Sequence, residues 1–191
     1  MFSLQDLLGQ QQGSQAVDQI SSQIGADHSS VNSAIQMALP MIVSAMANKA
    51  QQPEVQQEIV QNDGGILDNL GGFLGNSNQA TNMGSNILGM LLGRGQQNQA
   101  AQQISQHSGL NMGQVASLLM MLAPIVMAYF GKQQTQQGLD TGGITDMLQT
   151  QGQQAQQSSM GGILGNLLDR DGDGSSMDDL AGLAMNYLTG R

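Results

Sequence analysis

Cysteine and tryptophan are missing from this 191-residue chain, aromatics reach only 3% and charged residues only 10%. Without cysteine there is no disulfide, no thiolate metal site and no cysteine nucleophile, and the redox compartment stays undecided. Apolar residues still make up 39%, so a core is affordable, but it must be built from Leu, Ile, Val, Met and Ala. Five Lys and Arg stand against 14 Asp and Glu, a formal net charge of −9. That balance speaks against nucleic acid, whose phosphates are held chiefly by Lys and Arg. Residues 20–42 and 104–126 do have helix-turn-helix spacing, with Ser108-Gly109-Leu110 at one turn. The would-be recognition helices, 30–46 and 113–130, contain no Lys or Arg, so plain helical hairpins are expected.

Long apolar runs are also scarce. The most apolar, 115–130, includes Ser117 and Pro124 and falls short of the roughly 20 residues a membrane span needs. A buried helix is expected there and a membrane span is not. The start, Met1-Phe2-Ser3-Leu4-Gln5-Asp6, has no basic n-region and no long apolar stretch. No secretory signal is therefore expected, and the cytoplasm is the default compartment. Gly-x-Ser-x-Gly and phosphate-loop patterns are absent, and no set of nucleophile, base and oxyanion donors converges. An enzyme is not expected. His28 and His107 have no metal-ligand spacing and suit surface or capping roles. The 14 methionines fit a core at helical spacing better than an adaptable partner groove.

What the chain does have is glutamine, 31 of them, 26 glycines and an internal echo. Position i matches position i+84 without a gap over about 45 residues: Leu4, Leu7, Leu8 and Gly9 return as Leu88, Leu91, Leu92 and Gly93. Ala16, Gln19, Ile20, Ser21 and Gly25 return as Ala100, Gln103, Ile104, Ser105 and Gly109. Val31, Ser33, Met37 and Pro40 return as Val115, Ser117, Met121 and Pro124. Such self-similarity predicts a duplicated helical unit. In each copy a glycine closes a Gln-rich helix, where a left-handed residue costs it nothing. Ser29 or Ser30 in the first copy and Asn111 in the second are the candidate caps of a longer helix. Pro40 and Pro124 fall inside that longer helix, where proline kinks or breaks it.

Short cassettes, Gly64-Gly65-Ile66-Leu67-Asp68, Gly142-Gly143-Ile144-Thr145-Asp146 and Gly161-Gly162-Ile163-Leu164-Gly165, read as brief helices entered through a diglycine. Residues 149–159 are polar and of low complexity and read as a linker. The expected organisation is all-α: repeat one over 1–80, repeat two over 81–140 in the same bundle, a Gln/Gly-rich linker with a short helix over 141–160, and a helix–loop–helix over 161–191.

The last segment carries the most specific chemistry in the chain. Asp169, Asp171 and Asp173 alternate ahead of Gly174, as in the first half of an EF-hand loop, where hard oxygens converge on calcium. The Ser175 carbonyl occupies loop position 7. Position 12, normally glutamate, is Leu180, so the loop is one residue short and is closed by Asp179 or Asp178. Aspartate reaches less far than glutamate, and weak calcium affinity is expected. The expected function is non-enzymatic calcium binding that orders the C-terminal hairpin. The alternative is a self-associating scaffold, a homo-oligomer with calcium as a staple.

The Leu-Leu-Gly start, the Gln-rich helix, Ser-Gly-Leu-Asn-Met-Gly-Gln-Val at 108–115 and Leu-Ala-Pro-Ile at 122–125 resemble a bacterial family known as domain of unknown function 937. The tail from Leu168 to Ser175, followed by Asp178-Asp179-Leu180, is similar to it as well. The resemblance implies a helical bacterial protein and supplies no activity.

Overall fold

The computed structural model describes residues 3–62, 64–140 and 142–154. Every regular element among them is an α-helix: α1 (Leu4–Leu8), α2 (Gln10–Ile24), α3 (His28–Asn48), α4 (Pro53–Gln61), α5 (Gly65–Asp68), α6 (Leu70–Gly75), α7 (Ser77–Leu91), α8 (Gly93–Ser108) and α9 (Met112–Gln137). A further helix, α10, covers 142–154.

α9 organises the rest. From Val115 to Phe130 its residues are buried on nearly every side, including Leu118, Leu119, Leu122, Ile125 and Val126. A helix that is apolar all round must be covered all round, and α2, α3, α4, α5, α7 and α8 all pack on it. α3 has the same character, with Val31, Ile35, Leu39, Ile42 and Met46 at 0–1% exposure. Both helices are long and apolar enough to cross a membrane, and in both more than half of the apolar window is buried inside the protein. Each fully buried Leu or Ile contributes about 1.5–3 kcal/mol, so this pair of helices is the main source of stability.

The prolines do not divide these helices. α3 and α9 run on through Pro40 and Pro124, both buried. A proline in mid-helix lacks the N–H that would bond the carbonyl four residues back, which frees Met120 C=O in α9. Gly84 of α7 lies against that oxygen: a methyl group at position 84 would sit 1.7 Å from it. The missing side chain lets two backbones meet where a helical carbonyl has lost its own donor. The same device recurs at Gly131, where a methyl would come within 1.8 Å of Asn62 O at the end of α4.

Caps set the helix boundaries. Asn111 opens α9 with a capping box, accepting from Gln114 N–H at 3.0 Å while Gln114 Oε1 accepts from Asn111 N–H at 3.0 Å. The Gln114 amide also donates to Ile24 O at 3.1 Å and Gly25 O at 3.3 Å, binding the start of α9 to the end of α2. α3 is capped by Asp27, whose carboxylate accepts from Ser30 N–H at 2.9 Å. The expected caps, Ser29 and Ser30, lie inside the helix instead, because Asp27 takes the extended conformation (φ −72°, ψ 151°) a cap requires. α2 ends at Gly25 with φ 63° and α8 at Gly109 with φ 79°, both left-handed as expected of terminating glycines.

α7 runs unbroken through positions 80 and 81. One further difference from the sequence reading concerns a connection. α10 is longer than a brief helix and extends to 154, into the stretch read as linker. Its buried Ile144, Leu148 and Gly152 recur every four residues. Gly152 lies over Ala47 near the end of α3, where an added Cβ would be 2.4 Å from the Ala47 Cβ. Thr145 Oγ1 donates to Ala50 O at 3.4 Å, and the Gln56 amide donates to the same carbonyl at 2.8 Å.

Glycines 84 and 89 share α7 and permit an internal comparison. Gly84→Ala should lower stability by about 1–3 kcal/mol, because neither backbone can give way. Gly89 has open space around it, so Gly89→Ala should raise stability by about 0.5–1 kcal/mol. Urea unfolding measures both, and equal effects would contradict the close α7–α9 approach.

Acid should loosen α3. The Ser30 backbone N–H, followed by the Ser30 side chain, holds Asp27 below its ordinary value of 3.8. A lowered folded pKa adds stability above the unfolded value and loses it as pH falls through the folded one. Asn at this position keeps the cap without titrating, as Asn111 does in α9. Asp27→Asn should therefore show a shallower stability loss between about pH 5 and pH 2, read from urea midpoints across that range.

Candidate functional site

The expected calcium ligands, Asp169, Asp171, Asp173, Ser175, Asp178 and Asp179, lie outside the described residues, as do both expected flanking helices. Ionisable groups of the described body meet in exposed pairs. His28 Nε2 lies 3.1 Å from Asp18 Oδ1, an exposed pair joining α3 to α2. His107 Nδ1 lies 2.9 Å from Gln103 O one turn back on α8. Both histidines therefore sit at the surface in local contacts. Lys132 Nζ pairs with Asp68 Oδ1 at 2.9 Å, fastening α5 to α9. Among the described residues no group of three or more His, Asp or Glu is placed to hold a metal.

Two clefts of ligand size lie among the described residues. One, about 500 Å³, lies between α2 and the α5–α6 turn and is lined mainly by Gln12, Gln15, Asp18, Gln19, Asp68 and Asn69. Its polar lining side chains are exposed except for the half-buried Gln19, and a wet surface of amides and carboxylates gives a ligand little to gain over water. The other, about 480 Å³, lies between the last turns of α9 and α10. Tyr129, Gln133 and Gln137 form its α9 wall at four-residue spacing. Gly143, Met147 and Thr150, with Asp146 and Gln151, form its α10 wall, and Leu139 lies in the connection. Phe130 meets Tyr129 edge-on at 5.4 Å and 79°.

The chemistry of this second cleft favours packing. Its carboxylate is Asp146, and the nearby Thr150 hydroxyl donates to the Asp146 main-chain carbonyl at 2.9 Å. Sequence reasoning missed the cleft because its walls come from residues on either side of a turn, and one wall lies in a Gln-rich stretch. The available signal was Ile144 and Leu148, four residues apart, marking α10 as an amphipathic helix.

Comparison with known proteins adds one match. No curated protein and no solved structure matches the chain. A family model described as a bacterial protein of unknown function (DUF937) matches residues 6–133. The matched region runs from α1 to the last turns of α9 and stops short of α10 and of the Asp-rich loop. It covers more than half of the chain, and this protein belongs to the DUF937 family of bacterial proteins.

Proposed function

We propose that this is a non-enzymatic calcium-binding protein in which a helical body carries a C-terminal ion-ordered hairpin. The carrying observation is the spacing Asp169-x-Asp171-x-Asp173-Gly174 with Asp178 and Asp179 beyond it. The donor set fits a hard cation: residues 161–191 offer five carboxylates and no His or Cys. Asp169, Asp171 and Asp173 would hold the ion with the Ser175 carbonyl, and Asp179 or Asp178 would close the shortened loop. When bound, calcium supplies charge neutralisation. The chain supplies apolar flanks, Ile163, Leu164, Leu167 and Leu168 before the loop and Leu180, Leu183 and Leu188 after it. Repulsion among the carboxylates opposes their approach until that charge is compensated.

We read the body as a duplication. Support comes from helices 84 positions apart that share their order and their stops. α2 ends at Gly25 and α8 at Gly109, and Asp27 caps α3 as Asn111 caps α9. Gln114 touches the end of α2, and its counterpart Ser30 lies beside Gly109.

Titration calorimetry of the full chain with calcium tests the functional reading. Heat saturating at or below millimolar calcium is expected. Its loss in the double variant Asp169→Ala, Asp173→Ala would assign it to the loop. Absence of heat at millimolar calcium, or undiminished heat in the variant, would end the proposal.

A further inference from the structure

The cleft between α9 and α10 is walled by apolar groups, Tyr129, Phe130, Leu139 and Met147, under a rim of amides. At about 480 Å³ it lies within the roughly 300–1,000 Å³ of protein pockets that receive a ligand. We propose that residues 163–168 of this same chain seat in it, with Ile163, Leu164 and Leu167 against Tyr129 and Met147. The proposal deepens the calcium reading and rests on it, because the seat is offered to the segment that leads into the loop.

Three observations select this occupant. The first is where the described chain ends: Thr150 and Gln151 are on the rim, and Gln154 lies within one turn of them. The second is length. Eight residues, 155–162, separate α10 from Ile163. A flexible chain of that length spans about 16 Å on average and reaches about 27 Å when extended. Such a tether holds its end at millimolar effective concentration, which a second copy in solution does not match. The third is charge. Residues 161–168 carry none, whereas 169–179 carry five carboxylates, and the charged residue of the cleft wall is Asp146. The apolar segment suits the cleft, and the adjoining carboxylates repel Asp146 until calcium compensates them. Calcium binding and docking are thereby coupled, each strengthening the other.

Absence of native cysteine allows a direct test in the full chain. With oxidised glutathione as the oxidant, Met147→Cys combined with Leu164→Cys should form an intramolecular disulfide about tenfold faster in millimolar calcium than in chelator. Gln151→Cys with Leu164→Cys provides a second pair at the half-buried Gln151 on the rim, in case position 147 perturbs folding. Met112→Cys with Leu164→Cys is the control, since Met112 lies about 26 Å along α9 from Tyr129 and is 49% exposed. Calcium heat without acceleration in either rim pair would overturn the docking and leave the calcium reading intact. No calcium heat would overturn both. Disulfide-linked dimers in place of cross-linked monomers would assign the cleft to a second copy and overturn the intramolecular seat.

Discussion

From Val115 to Phe130 α9 must be kept largely from water, and the body is arranged to meet that demand. Its apolar residues are distributed around the whole circumference, so no single partner helix suffices. Six helices surround it, and they must come close because the chain has little aromatic bulk to fill gaps. Small residues at the contacts make this possible. Gly84 admits α7 to the backbone of α9, and Gly131 admits the end of α4. Pro124 becomes intelligible in the same terms. The carbonyl it frees in α9 is the one that Gly84 meets, so a helix defect and a packing contact occupy one place.

Much of this body was legible in the residues. The apolar pattern of 115–130 marks a buried helix, Gly25 and Gly109 mark helix ends, and Gly64-Gly65 marks the entry to α5. What failed did so for identifiable reasons. Asp27 is followed by His28, Ser29 and Ser30, so three oxygen-bearing side chains compete for one capping role. Only the 84-residue register, which sets Asp27 opposite Asn111, separates them. Of the two outcomes expected at Pro40 and Pro124, a kink or a break, the break does not occur, because tertiary burial outweighs a local penalty of about 3 kcal/mol. α10 was obscured because its polar face is glutamine, a residue equally at home in a helix and in a linker. The cleft was out of reach for a stricter reason: it exists only where α9 and α10 face each other, and no local pattern encodes that meeting.

The proposed calcium site divides differently. Its chemistry is written in the sequence as alternating aspartates, while the described fold contributes a body with few charges and no competing ion cluster among its described residues. The family match covers α1 to the last turns of α9 and leaves α10 and the loop outside. Body and loop thus differ in how densely charge is set: nine Asp and Glu are spread over residues 1–160, and five are gathered in 169–179. The seat between α9 and α10 is where the two would be joined.

The tripeptide Leu-Leu-Gly occurs at 7–9 and again at 91–93, with different results. At its first occurrence it closes α1, five residues long, and at its second it closes α7, fifteen residues long. The chain turns at the glycine in both places, with φ 82° at Gly9 and 67° at Gly93. The stop is therefore carried by the motif itself, whereas the length of helix before it is set by whatever chain precedes. A motif that fixes endings but not beginnings can be copied to a new position and grafted onto a longer helix, and the next helix still starts in its proper place.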